Sequence, residues 1–129
     1  MKRYLAILTA LVLAALPAFA VNPVINGQTI FSDSAPTITT CGTSPTVATG
    51  GTSNGATITV GTATTNAYGI TVPVLQCKLT FATAFTNAPV VAFSTNSQIQ
   101  VTVGSLSTTV LIVNFGSNAA GKKFAFIAF

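Results

Sequence analysis

Chemistry at neutral pH needs side chains that hold or move protons, and this chain has few: it contains no His, and Asp33 is its one acidic residue. Without a second carboxylate in the subunit, general acid-base catalysis has no pair to work with. A nucleophilic serine needs a base in reach, and past residue 20 the candidates are Lys78, Lys122, Lys123 and Asp33. A Ser-Lys arrangement around Lys78 is the one enzymatic option this inventory leaves. A calcium site at Asp33 would have to be completed by carbonyls and hydroxyls. Gly50-Gly51 lacks the strand-glycine-helix context of a phosphate cradle. The expectation is a non-enzymatic chain with no catalytic residues, no cofactor and no metal.

Cys41 and Cys77 are the two cysteines. In an oxidising compartment they form a disulfide, which closes a long loop and stabilises a small domain by about 4 kcal/mol. A reactive thiol or a metal pair is the competing reading, and the absence of His weakens the metal version.

The compartment follows from the start of the chain. Lys2 and Arg3 precede an apolar run over residues 5–16, Pro17 ends it, and Ala18-Phe19-Ala20 offers small residues at a cleavage site, the pattern of a signal peptide over residues 1–20. The run is short for a membrane span. Residues 21–35 then read as an N-terminal arm and residues 36–129 as one β-domain. Without the leader the net charge falls from +4 to +2, too little positive surface for nucleic acid. Only 5% of residues are charged, against about 25% in an ordinary soluble domain. A surface of Thr, Ser, Asn, Gln and Gly is solvated but does not repel its copies, which favours self-association.

Past the leader nothing has a helical period. Thr, Val, Ile and Phe recur in short runs broken by Gly, Asn and Pro, so the expected fold is all-β: a single antiparallel β-sandwich or jelly-roll-like domain of about eight short strands. In the arm, Asn26-Gly27 is a turn signal before a short strand over 28–31. Further strands are expected over 37–41, 56–60, 70–75, 77–81, 90–94, 99–103, 108–115 and 124–129. Tight turns are expected at Asn54-Gly55 and Gly104-Ser105, and a long loop over 61–69. Cys77, Leu79 and Phe81 share one strand face, which places the bridge among buried residues. Threonines such as Thr57 and Thr59 could form a flat ice-binding array, but they follow no fixed period and read as solvent-facing strand positions. Of the loop aromatics, Phe85 is expected to fold inward, leaving Tyr68 as the candidate ligand contact for stacking on a sugar.

The ending KKFAFIAF has a terminal aromatic, as many outer-membrane barrels do. A barrel strand alternates apolar with polar, whereas both faces of this run are apolar, and the strands are shorter than the 9 to 11 residues a tilted span needs. It is therefore expected to be a central strand buried on both sides, closing a sandwich or lying in a subunit interface.

The succession Cys41-Gly42-Thr43-Ser44-Pro45, Gly55-Ala56-Thr57-Ile58-Thr59-Val60-Gly61, Cys77-Lys78-Leu79-Thr80-Phe81 and Phe85-Thr86-Asn87-Ala88-Pro89-Val90 resembles a β-domain of C-terminal regions of phage tail-fibre-like and bacterial surface proteins. The likeness extends over residues 41–129. That group often carries two further cysteines, where this chain has Val91 and Ala128; their joint absence implies that Cys41 pairs with Cys77. The resemblance further implies an often homotrimeric structural or receptor-facing module without enzymatic activity. With a signal peptide expected directly ahead of the arm, the domain is expected to lack a fibre shaft, so a strand-exchanged polymer, in which the 21–35 arm adds a strand to a neighbour's sheet, is the alternative assembly. The functional expectation is a secreted structural or adhesive β-domain that self-assembles at or outside the bacterial cell surface. The alternatives are a carbohydrate-binding module for a surface glycan and a small outer-membrane barrel.

Overall fold

The computed structural model describes residues 24–25, 28–29, 34–95 and 98–129. The leader expected over 1–20, most of the arm and Asp33 lie outside them. Within the arm, β1 (Val24–Ile25) pairs antiparallel with β2 (Gln28–Thr29) on either side of Asn26-Gly27.

The remaining strands are β3 (Thr37–Thr40), β4 (Thr46–Val47), β5 (Gly55–Thr59), β6 (Thr64–Thr65), β7 (Thr71–Val72), β8 (Gln76–Thr80), β9 (Val91–Thr95), β10 (Val101–Leu106), β11 (Val110–Phe115) and β12 (Lys123–Ala128). No helix occurs among the described residues. Eight of these strands make two four-stranded antiparallel sheets, ordered β10-β11-β8-β3 and β4-β5-β12-β9, while β6 and β7 form a separate ladder. The chain is an all-β sandwich, as its alternation implied.

Period-two alternation supplies the core. Cys77, Leu79, Leu111, Val113 and Phe115 point inward from the first sheet and Ala56, Ile58, Phe124, Phe126 and Ala128 from the second, each at most 8% exposed. Phe115 and Phe124 meet across the gap, edge to face, with centroids 5.6 Å apart. Phe81 and Phe85 make a similar pair at 4.8 Å, so Phe85 does fold inward. Aromatic pairs of this geometry add about 0.5–1.5 kcal/mol beyond the area they bury.

Several local expectations are corrected. The turn expected at Asn54-Gly55 lies one residue earlier: Thr52 and Gly55 exchange backbone hydrogen bonds, Ser53 and Asn54 make the bend, and Gly55 already belongs to β5. The cause is non-local. Ser53 is fully buried, and its hydroxyl accepts hydrogen bonds from the Ala82 and Thr83 backbone N–H groups at 3.0 and 3.5 Å. Replacing Ser53 with Ala should cost about 0.5–1.5 kcal/mol, the net worth of a hydrogen bond whose donors lie on part-exposed backbone. Urea unfolding at unchanged slope would measure it, and an unaltered midpoint would contradict this role for the hydroxyl.

Gly104-Ser105 is likewise not a turn. It lies inside β10, where the register against β11 shifts between Val103 and Ser105. A Cβ at Gly104 would come within 2.7 Å of the Asn114 side-chain amide, so in the bulge glycine leaves room for that side chain where it lies, and a larger residue would have to displace it. The real turn is at Ser107, whose hydroxyl accepts from the Thr109 and Val110 N–H groups at 3.2 and 3.0 Å. The 61–69 loop contains β6, and the 70–75 run is reduced to β7 because Pro73 removes a ladder donor.

The ending is corrected most. β12 is a central strand, between β5 and β9, but it is buried on one side alone. Phe124, Phe126 and Ala128 are 1% exposed, whereas Ile127 and Phe129 are 59% and 51% exposed.

Candidate functional site

The residues singled out from the sequence are dispersed by the fold. Cys41 and Cys77 are bonded to one another, 36 positions apart and 1% and 0% exposed, so neither is a reactive thiol or a metal ligand. The bridge joins the end of β3 to β8 within the first sheet. Beside it the Cys41 carbonyl accepts a hydrogen bond from the Gly61 N–H at 2.8 Å, and Thr43 and Thr62 exchange two more at 2.9 Å. A Cβ at Gly61 would meet the Thr43 carbonyl oxygen at 2.3 Å, so only glycine permits this close approach.

Lys78 projects from the outer face of the first sheet. It shares a row with Ile112 and Ser105, placing Ile112 between the lysine and that serine. Two strand spacings, about 10 Å, separate the two backbones.

Tyr68 is 88% exposed at the tip of the β6-β7 hairpin. Asn66 organises the tip: its side-chain oxygen accepts from the Tyr68 and Ile70 N–H groups, both at 3.0 Å, while Gly69 takes a φ of +76°. A hollow of about 270 Å³ lies at the base of the hairpin, lined by Cys41, Gly42, Val72, Val74 and Leu75 among others. Tyr68 stands away from that hollow, so ring and concavity are not one site.

The largest chemical asymmetry is on the outer face of the second sheet. Register places Gly55, Ile127 and Ala92 in one row and Thr57, Ala125 and Ser94 in the next. Beyond the first row Val90 and Phe129 exchange backbone hydrogen bonds at 2.9 and 3.1 Å; beyond the second Lys123 pairs with Thr59. One end is thus apolar, with Val90, Ile127 and Phe129 each more than half exposed, the middle is small and neutral, and Lys123 stands at the far end. Shallow hollows flank Ile127, about 300 Å³ over Gly55 and about 120 Å³ over Ala92, and a third of about 200 Å³ lies toward the Lys123 end, lined by Thr57, Ser94, Lys123, Phe124 and Ala125. Sequence reading had placed Ile127 and Phe129 in the core, because alternation gives the parity of a side chain but not which side is covered.

Fold and surface together define a disulfide-bonded antiparallel β-sandwich whose second sheet turns a mostly uncharged face with exposed apolar residues outward. No family model, curated protein or solved structure matches the chain.

Proposed function

We propose that this chain is a secreted, non-enzymatic structural or adhesive β-domain that self-assembles at or outside the bacterial cell surface, akin to the tail-fibre-like and surface-protein regions it resembles. The observation that carries the reading is the outer face of the second sheet. Val90, Ile127 and Phe129 leave apolar area in water, where its removal is worth about 25 cal/mol per Å². With charge at 5% of residues, little long-range repulsion opposes contact between copies. The buried disulfide suits an oxidising compartment.

One observation favours a second reading, a carbohydrate-binding module: Tyr68 is exposed on a hairpin braced by Asn66, and a ring held in that way can stack on a sugar. The membrane-barrel alternative has less support. The described strands have at most six residues, against the 9 to 11 a span needs, and the sandwich interior is filled with Phe, Leu and Ile instead of a polar lumen.

Sedimentation of the exported, oxidised protein, followed by a glycan array, separates the two. The self-assembly reading expects a mass that rises above the monomer with concentration and no defined glycan. A strict monomer that binds one sugar, and loses it on Tyr68→Ala, would replace it with the second reading.

A further inference from the structure

The exposed face of the second sheet has its own complement. We infer that two copies stack these faces on one another about a two-fold axis that runs across the strands at the level of Phe126, so that β12 of one copy lies antiparallel over β12 of the other. This deepens the self-assembly reading and rests on it.

Two observations select a second copy and this register, and a third sets the strength of the contact. The first is shape. The axis sets the row of Gly55, Ile127 and Ala92 over the partner's row of Thr57, Ala125 and Ser94. Ile127, the projecting residue of its row and 59% exposed, then enters the hollow of about 200 Å³ over Ala125, which Thr57, Ser94, Lys123 and Phe124 also line. Two-fold symmetry makes the same fit twice, as an isologous contact requires.

The second is charge. Lys123 is the one charged residue on the face. An axis along the strands would stack Lys123 on its own copy, about 10 Å away across the sheets. The inferred axis separates the two lysines by about 20 Å along the strand, well beyond the Debye length of about 8 Å. Each lysine is instead placed over the partner's Phe129 ring, a favourable cation-π arrangement.

The third is area. Three strands and six residues of rise cover about 300 Å² per copy, so the pair buries about 600 Å². That is less than two fifths of a standard stable interface of about 1,600 Å² and predicts weak, reversible association, appreciable only where copies are concentrated, as on a surface.

The test is sedimentation equilibrium of the exported, disulfide-bonded protein from about 10 μM to about 1 mM, a range bracketing a weak dissociation constant. Four variants are compared with the wild type: Ile127→Ala, Ala125→Ile, the double variant carrying both, and Ile127→Lys. All four variants change only Ala125 and Ile127 on the outer face, and unchanged thermal unfolding verifies that each folds. The first two should each weaken association about tenfold, one by emptying the knob and the other by filling the hollow. The double variant exchanges knob and hollow and should recover to within about threefold of the wild type, while Ile127→Lys should abolish association in this range.

A wild-type protein monomeric up to the highest concentration overturns both this inference and the reading beneath it. Association that survives all four variants, or that is lost only when residues 21–35 are deleted, overturns the stacked face while leaving self-assembly standing. Weakened single variants without recovery in the double variant overturn the antiparallel register.

Discussion

Phe126→Asp should abolish cooperative unfolding and leave a chain without a folded β signature. Phe126 is 1% exposed on a central strand, and its ring lies 6.3 Å from that of Phe81. Loss of the ring alone costs about 3–5 kcal/mol through the cavity it leaves. A carboxylate there must also be desolvated with no cation among the core residues to pair it, which adds several kcal/mol more. Together these reach the 5–15 kcal/mol of a whole domain's stability. Ile127→Asp, one residue along, is the control: that side chain points outward, and its effect should stay within about 1 kcal/mol. Circular dichroism and thermal melts of the two variants decide the matter. A cooperative melt for Phe126→Asp would show that Phe126 does not face the core.

Removal of the disulfide ranks second. In the chain-entropy account, a bridge across 36 positions stabilises by about 4 kcal/mol, acting on the unfolded chain. A Cys41→Ala/Cys77→Ala variant should therefore melt about 20 °C below the wild type, at about 4–8 °C per kcal/mol for a domain of this size. The bridge is also sealed, with both residues at or below 1% exposure. A thiol reagent can reach the sulfurs only after the end of β3 separates from β8, so the reduction rate should follow the rate of unfolding. Rapid reduction of the folded protein, or an unchanged melting temperature in the double variant, would contradict this picture.

The strands most legible in sequence were those with clean alternation. β5, β8 and β12 begin or end within one residue of expectation, because a half-buried strand writes its period directly into residue type. The missed features have other causes. The β6-β7 hairpin rests on Asn66, whose side chain imitates a turn, and the pair Asn66 and Gly69 was a signal available in the sequence. The bend at Ser53-Asn54 had no such local signal: it is held by Ala82 and Thr83, 29 and 30 residues away. Gly104 reads as a turn residue, yet its neighbour is Asn114 across the hairpin, and a bulge there can be told from a turn only when the facing strand is known.

From the sequence alone came the all-β class, the pairing of Cys41 with Cys77 as the two cysteines available, and the poverty of acid-base groups. These depend on residue type and on spacing along the chain. The set of sandwich strands did not come from it, since β4 was missed and the 70–75 run pairs with β6 outside the two sheets. Which face of β12 meets water was decided by tertiary structure. KKFAFIAF alternates between two apolar faces, and no period distinguishes them. The order β4-β5-β12-β9 places one face on the opposite sheet and leaves the other, with Ile127 and Phe129, to solvent. Coverage is a property of the packed sheets, and it turned a run that read as core on both sides into the most exposed apolar strand face of the sandwich.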